Sequence, residues 1–185
     1  MTTLKEQFGD IDIYLFDQLL RGRIRPGMRI LDAGCGDGRN LVYLGKEGYD
    51  IWGVDAGPTL TGWNKFQQAP IENLPFPDAD FDVVICSAVL HFARDTEHFD
   101  RMLQDMWRVL KPEGLFFCRL ASNIGMPQLK PGRERLPDGS ERFLVDAEML
   151  LQRTTELGGE LADPLKTTIV HEKRCMTTWV VRKSC

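Results

Sequence analysis

The stretch Ile30-Leu31-Asp32-Ala33-Gly34-Cys35-Gly36-Asp37-Gly38-Arg39-Asn40 decides how the rest of the chain is read. An apolar strand runs into an acidic turn punctuated by glycines, and a helix follows. Glycines at 34, 36 and 38 permit positive φ and let a ligand approach the backbone with no Cβ in the way. A dinucleotide fingerprint, G-x-G-x-x-G, uses the same strand-turn-helix context but keeps carboxylates away from its pyrophosphate. Here Arg39 takes the place of the third glycine, and Asp32 and Asp37 flank the turn. That pattern favours a zwitterionic or cationic ligand, with Asp32 at the strand's end accepting from a cationic amino group.

Composition sets the outer limits. With 185 residues, 43% of them hydrophobic, the chain is long enough for one α/β domain with a proper core, whereas two halves would each be marginal. A formal net charge of −4 argues against a broad basic face for nucleic acid and favours small substrates. No apolar run is long enough to span a bilayer, and Met1 to Asp10 lacks the apolar core of a secretory signal, so a cytoplasmic protein is expected. Cys35, Cys86, Cys118, Cys175 and Cys185 are odd in number and show no C-x-x-C spacing. They read as reduced, mostly packing residues.

Outward from the turn, Met28 to Leu31 reads as a first strand and Arg39 to Lys46 as a helix stopped by Gly48. Tyr49 to Val54 forms a second strand ending at Asp55, which completes a β-α-β unit with parallel strands and a right-handed crossover. An amphipathic opening helix is expected over residues 8–21, where Ile11, Tyr14, Leu15 and Leu19 recur at helical spacing. Between Asp55 and Leu74-Pro75-Phe76 the chain looks abridged, with only Thr59 to Gln68 for a helix and little for a third strand. Phe81 to Cys86 is almost continuously apolar, as a central strand covered on both faces should be. A helix over Asp95 to Leu110, a strand over Leu115 to Leu120, a helix capped by Asp146 and two closing strands over Leu165–Val170 and Met176–Val181 complete the pattern. Alternating elements of this kind predict a doubly wound sheet with ligands at the carboxyl ends of its strands.

The Asp32 to Arg39 turn, the acidic Asp55 closing the second strand, and the segments Ile71-Glu72-Asn73-Leu74-Pro75-Phe76 and Ser87-Ala88-Val89-Leu90-His91-Phe92 together resemble class I S-adenosylmethionine-dependent methyltransferases, including the quinone-biosynthesis type. The resemblance runs by motif from residue 28 to about 120 and by element order beyond. It implies a Rossmann-like sheet, mostly parallel with an antiparallel last strand, in the order 3-2-1-4-5-7-6, with helices on both faces. It also implies a single domain over residues 1–185, S-adenosylmethionine as cofactor, S-adenosylhomocysteine as product, and a small-molecule methyl acceptor. By the same resemblance the cofactor is held by Asp32, Ala33, Gly34, Cys35 and Gly36 in the turn, and by Asp55 and Ala56 at the ribose. Ile71, Glu72 and Asn73 stand at the adenine, and Ser87 and Ala88 beside the methionine portion. Family members usually carry an aspartate for the adenine amino group where Pro70 stands, and Pro70 cannot fill that role.

Methyl transfer from a sulfonium asks for alignment and exclusion of water more than for covalent chemistry, so no catalytic signature is required. His91 falls near the expected transfer face, where it reads either as a general base or as a loop and packing residue. His98 and His171 have no companions spaced for a metal, and no metal site is expected. Tyr14 and Phe16, within an N-terminal segment 1–25, either fold over the cofactor or pack into the core. The irregular stretch 122–145 is long enough to be a substrate-side element. Its Arg133, Arg135 and Arg142, with Arg119, either receive an anionic acceptor or belong to a solvated hairpin with Glu134, Asp138 and Glu141. A nicotinamide-dependent oxidoreductase and a non-catalytic cofactor-sensing domain are the alternatives to the methyltransferase reading.

Overall fold

Side chains on successive strand residues point to opposite faces, and this chain fills both faces with apolar groups. The computed structural model describes residues 3–58 and 62–185. Its central strands are β1 (Arg29–Ala33), β2 (Asp50–Asp55), β3 (Phe66–Gln68), β4 (Phe81–Ser87) and β5 (Leu110–Ser122), all parallel to one another. Leu31, Ala33, Val84, Cys86, Phe116 and Cys118 face one core, which is covered by α4 (Thr96–Val109) and α5 (Ala147–Glu156) through Phe99, Leu103, Met106 and Leu150. Ile30, Ile51, Val83, Ile85 and Phe117 face the other, under α2 (Ile13–Leu20) and α3 (Arg39–Lys46) through Leu15, Leu41 and Leu44. Each Leu, Ile, Val, Met or Phe side chain among them contributes about 1.5–3 kcal/mol by leaving water.

The sheet order is β3-β2-β1-β4-β5-β10, with β10 (Arg174–Lys183) antiparallel to β5 from Cys175–Ser122 to Arg182–Leu115. Two short strands share the outer edge of β10: β8 (Gly159–Leu161) pairs with its last residues and β9 (Lys166–Val170) with its first. The expected order 3-2-1-4-5-7-6 is therefore found, with the sixth position divided between two strands.

Several boundaries differ from expectation. The opening helix over residues 8–21 is two helices, α1 (Leu4–Phe8) and α2, because Gly9 turns the chain at φ 65° and Asp12 caps α2 by accepting from Tyr14 N–H. A third strand is present, but it is three residues long. The helix expected from Thr59 to Gln68 falls partly on residues 59–61, outside the described residues, and the described residues 62–65 are not helical. β5 starts at Leu110 instead of Leu115, since Leu110 still pairs with Phe81 before the register shifts around Pro112. The stretch 122–145 contains a hairpin of β6 (Gly132–Arg135) and β7 (Glu141–Leu144), and it is solvated on one side only, because Leu136, Phe143 and Leu144 are buried.

Candidate active site

The carboxyl ends of β1, β2 and β4 converge on the glycine turn. Gly34 and Cys35 donate their backbone N–H groups to Val54 O at 2.7 and 3.0 Å, which clamps the turn onto the end of β2. Gly34 has φ 79°, and a Cβ there would lie 2.3 Å from Cγ2 of Val89, so only glycine lets the β1 and β4 loops approach this closely. Asp55 ends β2 and closes the turn from the other side: Oδ2 accepts from Gly36 N–H at 2.9 Å and Oδ1 from Gly57 N–H at 2.8 Å. Each carboxylate oxygen keeps a lone pair for a further donor.

Asp32 is the most unusual group of the site. It is 1% exposed, and its Oδ2 has no hydrogen-bond partner among the described residues. Burial pushes its carboxyl up to about 7, the charges of Asp55 and Asp12 add to this, and the Asn40 amide and Arg39 act against it. An orphaned, buried carboxylate oxygen beside a backbone turn fits a ligand that brings its own cationic donor. The Cys35 thiol is driven up to about 12 by burial and by the charges of Asp32 and Asp55, which leaves it an inert packing group.

A cleft of about 510 Å³ opens over this turn. Of the residues expected to hold a cofactor, Gly34, Gly36, Asp55, Ala56, Ile71, Glu72 and Ala88 line it. Asp32, Ala33, Cys35 and Ser87 are buried around it, while Asn73 is exposed and uses its N–H to close a turn onto Pro70 O. Val89 and Phe92, from the Ser87 to Phe92 segment, also line the cleft, as do His98 and Met102, which carried no sequence signal for it. His98 is placed by its neighbours: Nδ1 accepts from Arg94 N–H, so Nε2 carries the proton and donates to Glu72 Oε1 at 3.1 Å. Against the upward push of burial, Glu72's own backbone N–H and the His98 contact hold its carboxyl below the ordinary range.

Ala88 sits where this cleft meets a second cavity of about 240 Å³, and its φ of 66° is the left-handed conformation a side chain resists. The hydrogen bond from Ala88 N–H to Arg119 O holds it there. The second cavity is walled by Arg39, His91, Phe92, Arg119, Arg142 and Arg174, among others. His91 is 6% exposed and its Nδ1 accepts from Ala121 N–H, so the ring proton sits on Nε2. Burial and the charges of Arg142 and Arg174 lower its pKa to about 4. This geometry suits a hydrogen-bond donor better than a base.

The N-terminal segment is fastened to the same strand ends through Asp12, whose side chain is fully buried. Asp12 Oδ2 accepts from Ser87 Oγ at 3.1 Å and Arg119 Nη1 at 3.3 Å, and Arg39 Nη2, 3.5 Å away, donates to Ser87 Oγ. Tyr14 lies under the Arg119 guanidinium and reaches Thr168 Oγ1, whereas Phe16 packs on Phe8 and Tyr43. Arg133 binds Ala93 O and Glu141, and Arg135 is exposed, so neither lines the cavity. Among the described residues there is no cluster of His, Cys, Asp and Glu able to hold a metal, and no helix is long and apolar enough to cross a membrane.

Residues 31–118 match the family described as "Methyltransferase domain". The uncharacterized methyltransferase sll0829 of Synechocystis sp. is 36% identical over 100 residues, covering 50% of this chain and 47% of that protein. The ubiquinone/menaquinone biosynthesis C-methyltransferase UbiE of Laribacter hongkongensis is 34% identical over 124 residues, covering 58% of this chain and 48% of that protein. The chain thus spans about half the length of these curated relatives. Among solved structures, the Burkholderia thailandensis 1,6-didemethyltoxoflavin-N1-methyltransferase, with 1,6-didemethyltoxoflavin and S-adenosylhomocysteine bound, superimposes with a TM-score of 0.69 at 18% identity, covering 92% of this chain and 76% of that one. Residues 31–118 are thus similar to a methyltransferase domain, and the chain shares the fold of the solved methyltransferase.

Proposed function

We propose that this chain transfers a methyl group from S-adenosylmethionine to a small-molecule acceptor. The observation that carries this reading is the unpartnered, buried oxygen of Asp32 beside a glycine turn that opens into the cleft. When bound, the cofactor supplies a methyl group activated on a sulfonium and leaves as S-adenosylhomocysteine. Asp32 receives its amino group, and Asp55 uses its free lone pairs for the ribose hydroxyls. Ile71, Val89 and Met102 offer apolar surface to the adenine, with Glu72 and the Asn73 turn at its edge. The backbones of Ala33 to Gly36, Ala56, Ser87 and Ala88 set the contour between these groups. The segment that includes Asp12 is tied to the strand ends through Ser87 and Arg119 and acts as a lid, and residues 122–145 face the acceptor; the chain works as one domain.

Asp32, Asp55 and Glu72 surround the turn with negative potential, which disfavours the diphosphate of a nicotinamide cofactor. Five free thiols suit the reducing cytoplasm, where the chain is placed by this reading. The test is incubation of the purified chain with methyl-labelled S-adenosylmethionine and a metabolite extract, read by mass spectrometry. A labelled metabolite that depends on the chain is the expected result. Cofactor binding with no labelled product in any extract would favour a sensing domain instead.

A further inference from the structure

The second cavity gathers four arginines from distant parts of the chain: Arg39 from the start of α3, Arg119 from β5, Arg142 from β7 and Arg174 from the start of β10. Two of them share the buried Asp12, as described above. The other two form no close ion pair: among the described residues, neither Arg142 nor Arg174 has a carboxylate within 4.0 Å, although both charges act on the Asp138 carboxyl and lower it. Asp138 in the hairpin is exposed and is engaged by Ser140 N–H at 2.9 Å and Ser140 Oγ at 2.6 Å. Arg142 is held in place by Nη1 donating to Glu141 O at 2.7 Å and by stacking 4.8 Å over the ring of Phe92. Phe92 and Ala88 belong to both cavities, so the arginines stand next to the cofactor cleft.

We propose that the methyl acceptor is a small organic acid whose anionic group is received by Arg142 and Arg174 in this second cavity. The inference rests on the cofactor reading given above and names the substrate class for it. Positive charge in a pocket with low-dielectric walls raises the local concentration of anions, and a planar guanidinium matches a carboxylate or phosphate through two parallel hydrogen bonds. Among the described residues the walls carry no carboxylate, lysine or tyrosine, and the His91 Nε2–H is a donor. The accepting atom therefore arrives with its lone pair free. It forms the new bond to the methyl carbon as the carbon–sulfur bond breaks, that electron pair stays on sulfur, and no proton passes to the protein.

The test is calorimetric titration of the full chain, in the presence of S-adenosylhomocysteine, with benzoate, phenyl phosphate and the neutral isostere benzamide. At least one of the two anions is expected to bind and benzamide not to, and the preferred anion separates a carboxylate from a phosphate acceptor. Arg142→Gln and Arg174→Gln should each weaken that anion by roughly tenfold or more, the scale of one charge-assisted hydrogen bond. Both variants should bind S-adenosylhomocysteine as the unaltered chain does, which also shows that they are folded. Benzamide binding as well as the anions, no binding of either anion, or unchanged anion affinity in both variants would overturn the proposal. Failure of S-adenosylhomocysteine to bind the unaltered chain would instead overturn the cofactor reading beneath it.

Discussion

Replacing Asp32 by asparagine should stabilise the ligand-free protein, and by an amount that grows with pH. A group whose folded pKa is raised contributes stability that is complete below its unfolded pKa and is lost as pH rises through the folded one. For Asp32 that window runs from 3.8 to about 7. At about 1.4 kcal/mol per pKa unit, ionised Asp32 costs the folded state about 4 kcal/mol above neutrality. Asparagine keeps the size and the acceptor but never carries the charge. The stability gap between Asp32→Asn and the unaltered chain should therefore widen from about 2 kcal/mol at pH 5 to about 4 kcal/mol at pH 8. Urea unfolding of both proteins at the two pH values measures it, and the pH dependence of the gap removes any constant packing difference between the side chains. A gap that stays flat or narrows toward pH 8 would refute the argument that Asp32 is a destabilising, ligand-seeking carboxylate. The same substitution should weaken S-adenosylhomocysteine by tenfold or more, because the amino group loses its counter-charge.

Other consequences can be checked separately. Asp55→Ala removes the acceptor for Gly36 and Gly57 N–H together with the ribose contact, and should weaken S-adenosylhomocysteine by roughly 1.5–3 kcal/mol; unchanged affinity by calorimetry would remove Asp55 from the site. Gly34→Ala places a Cβ 2.3 Å from Val89 at a positive φ, so cofactor binding should be lost and the melting temperature lowered, whereas a variant that binds normally would show that the two loops are not in close contact. His91, with its pKa lowered to about 4, should show no titration between pH 5 and 8 in a nuclear magnetic resonance pH series of its ring protons; a midpoint near 6.5 would place it in solvent and restore it as a candidate base.

What the sequence made legible was local. The β1–turn–α3–β2 unit could be read because its signals, the Gly34 to Gly38 spacing, the Gly48 helix stop and Asp55, lie within one short span. Asp95 and Asp146 marked the starts of α4 and α5 because an N-cap acts on its own first turn, and both accept a backbone N–H at 2.7 Å. The five-residue error at the start of β5 came from Pro112 and Gly114, which read as a break; Leu110 still pairs with Phe81, and the strand bulges at Glu113, φ 63°, before pairing resumes at Leu115. The extra strand β8 was missed because three residues carry too little pattern to register. In the site, the glycine turn and Asp55 announced themselves, but Asp12 did not, since its partners Ser87 and Arg119 are 75 and 107 residues away. Arg174 carried no sequence signal for the same reason. Only the folded sheet brings it beside Arg142.

The most direct measurement of the central claim is a crystal structure of the chain grown with S-adenosylhomocysteine. The account predicts the ligand in the cleft over Gly34 and Gly36, with its amino group hydrogen-bonded to Asp32 and its ribose hydroxyls on Asp55. A ligand bound elsewhere, or one in the cleft with its amino group turned away from Asp32, would contradict it.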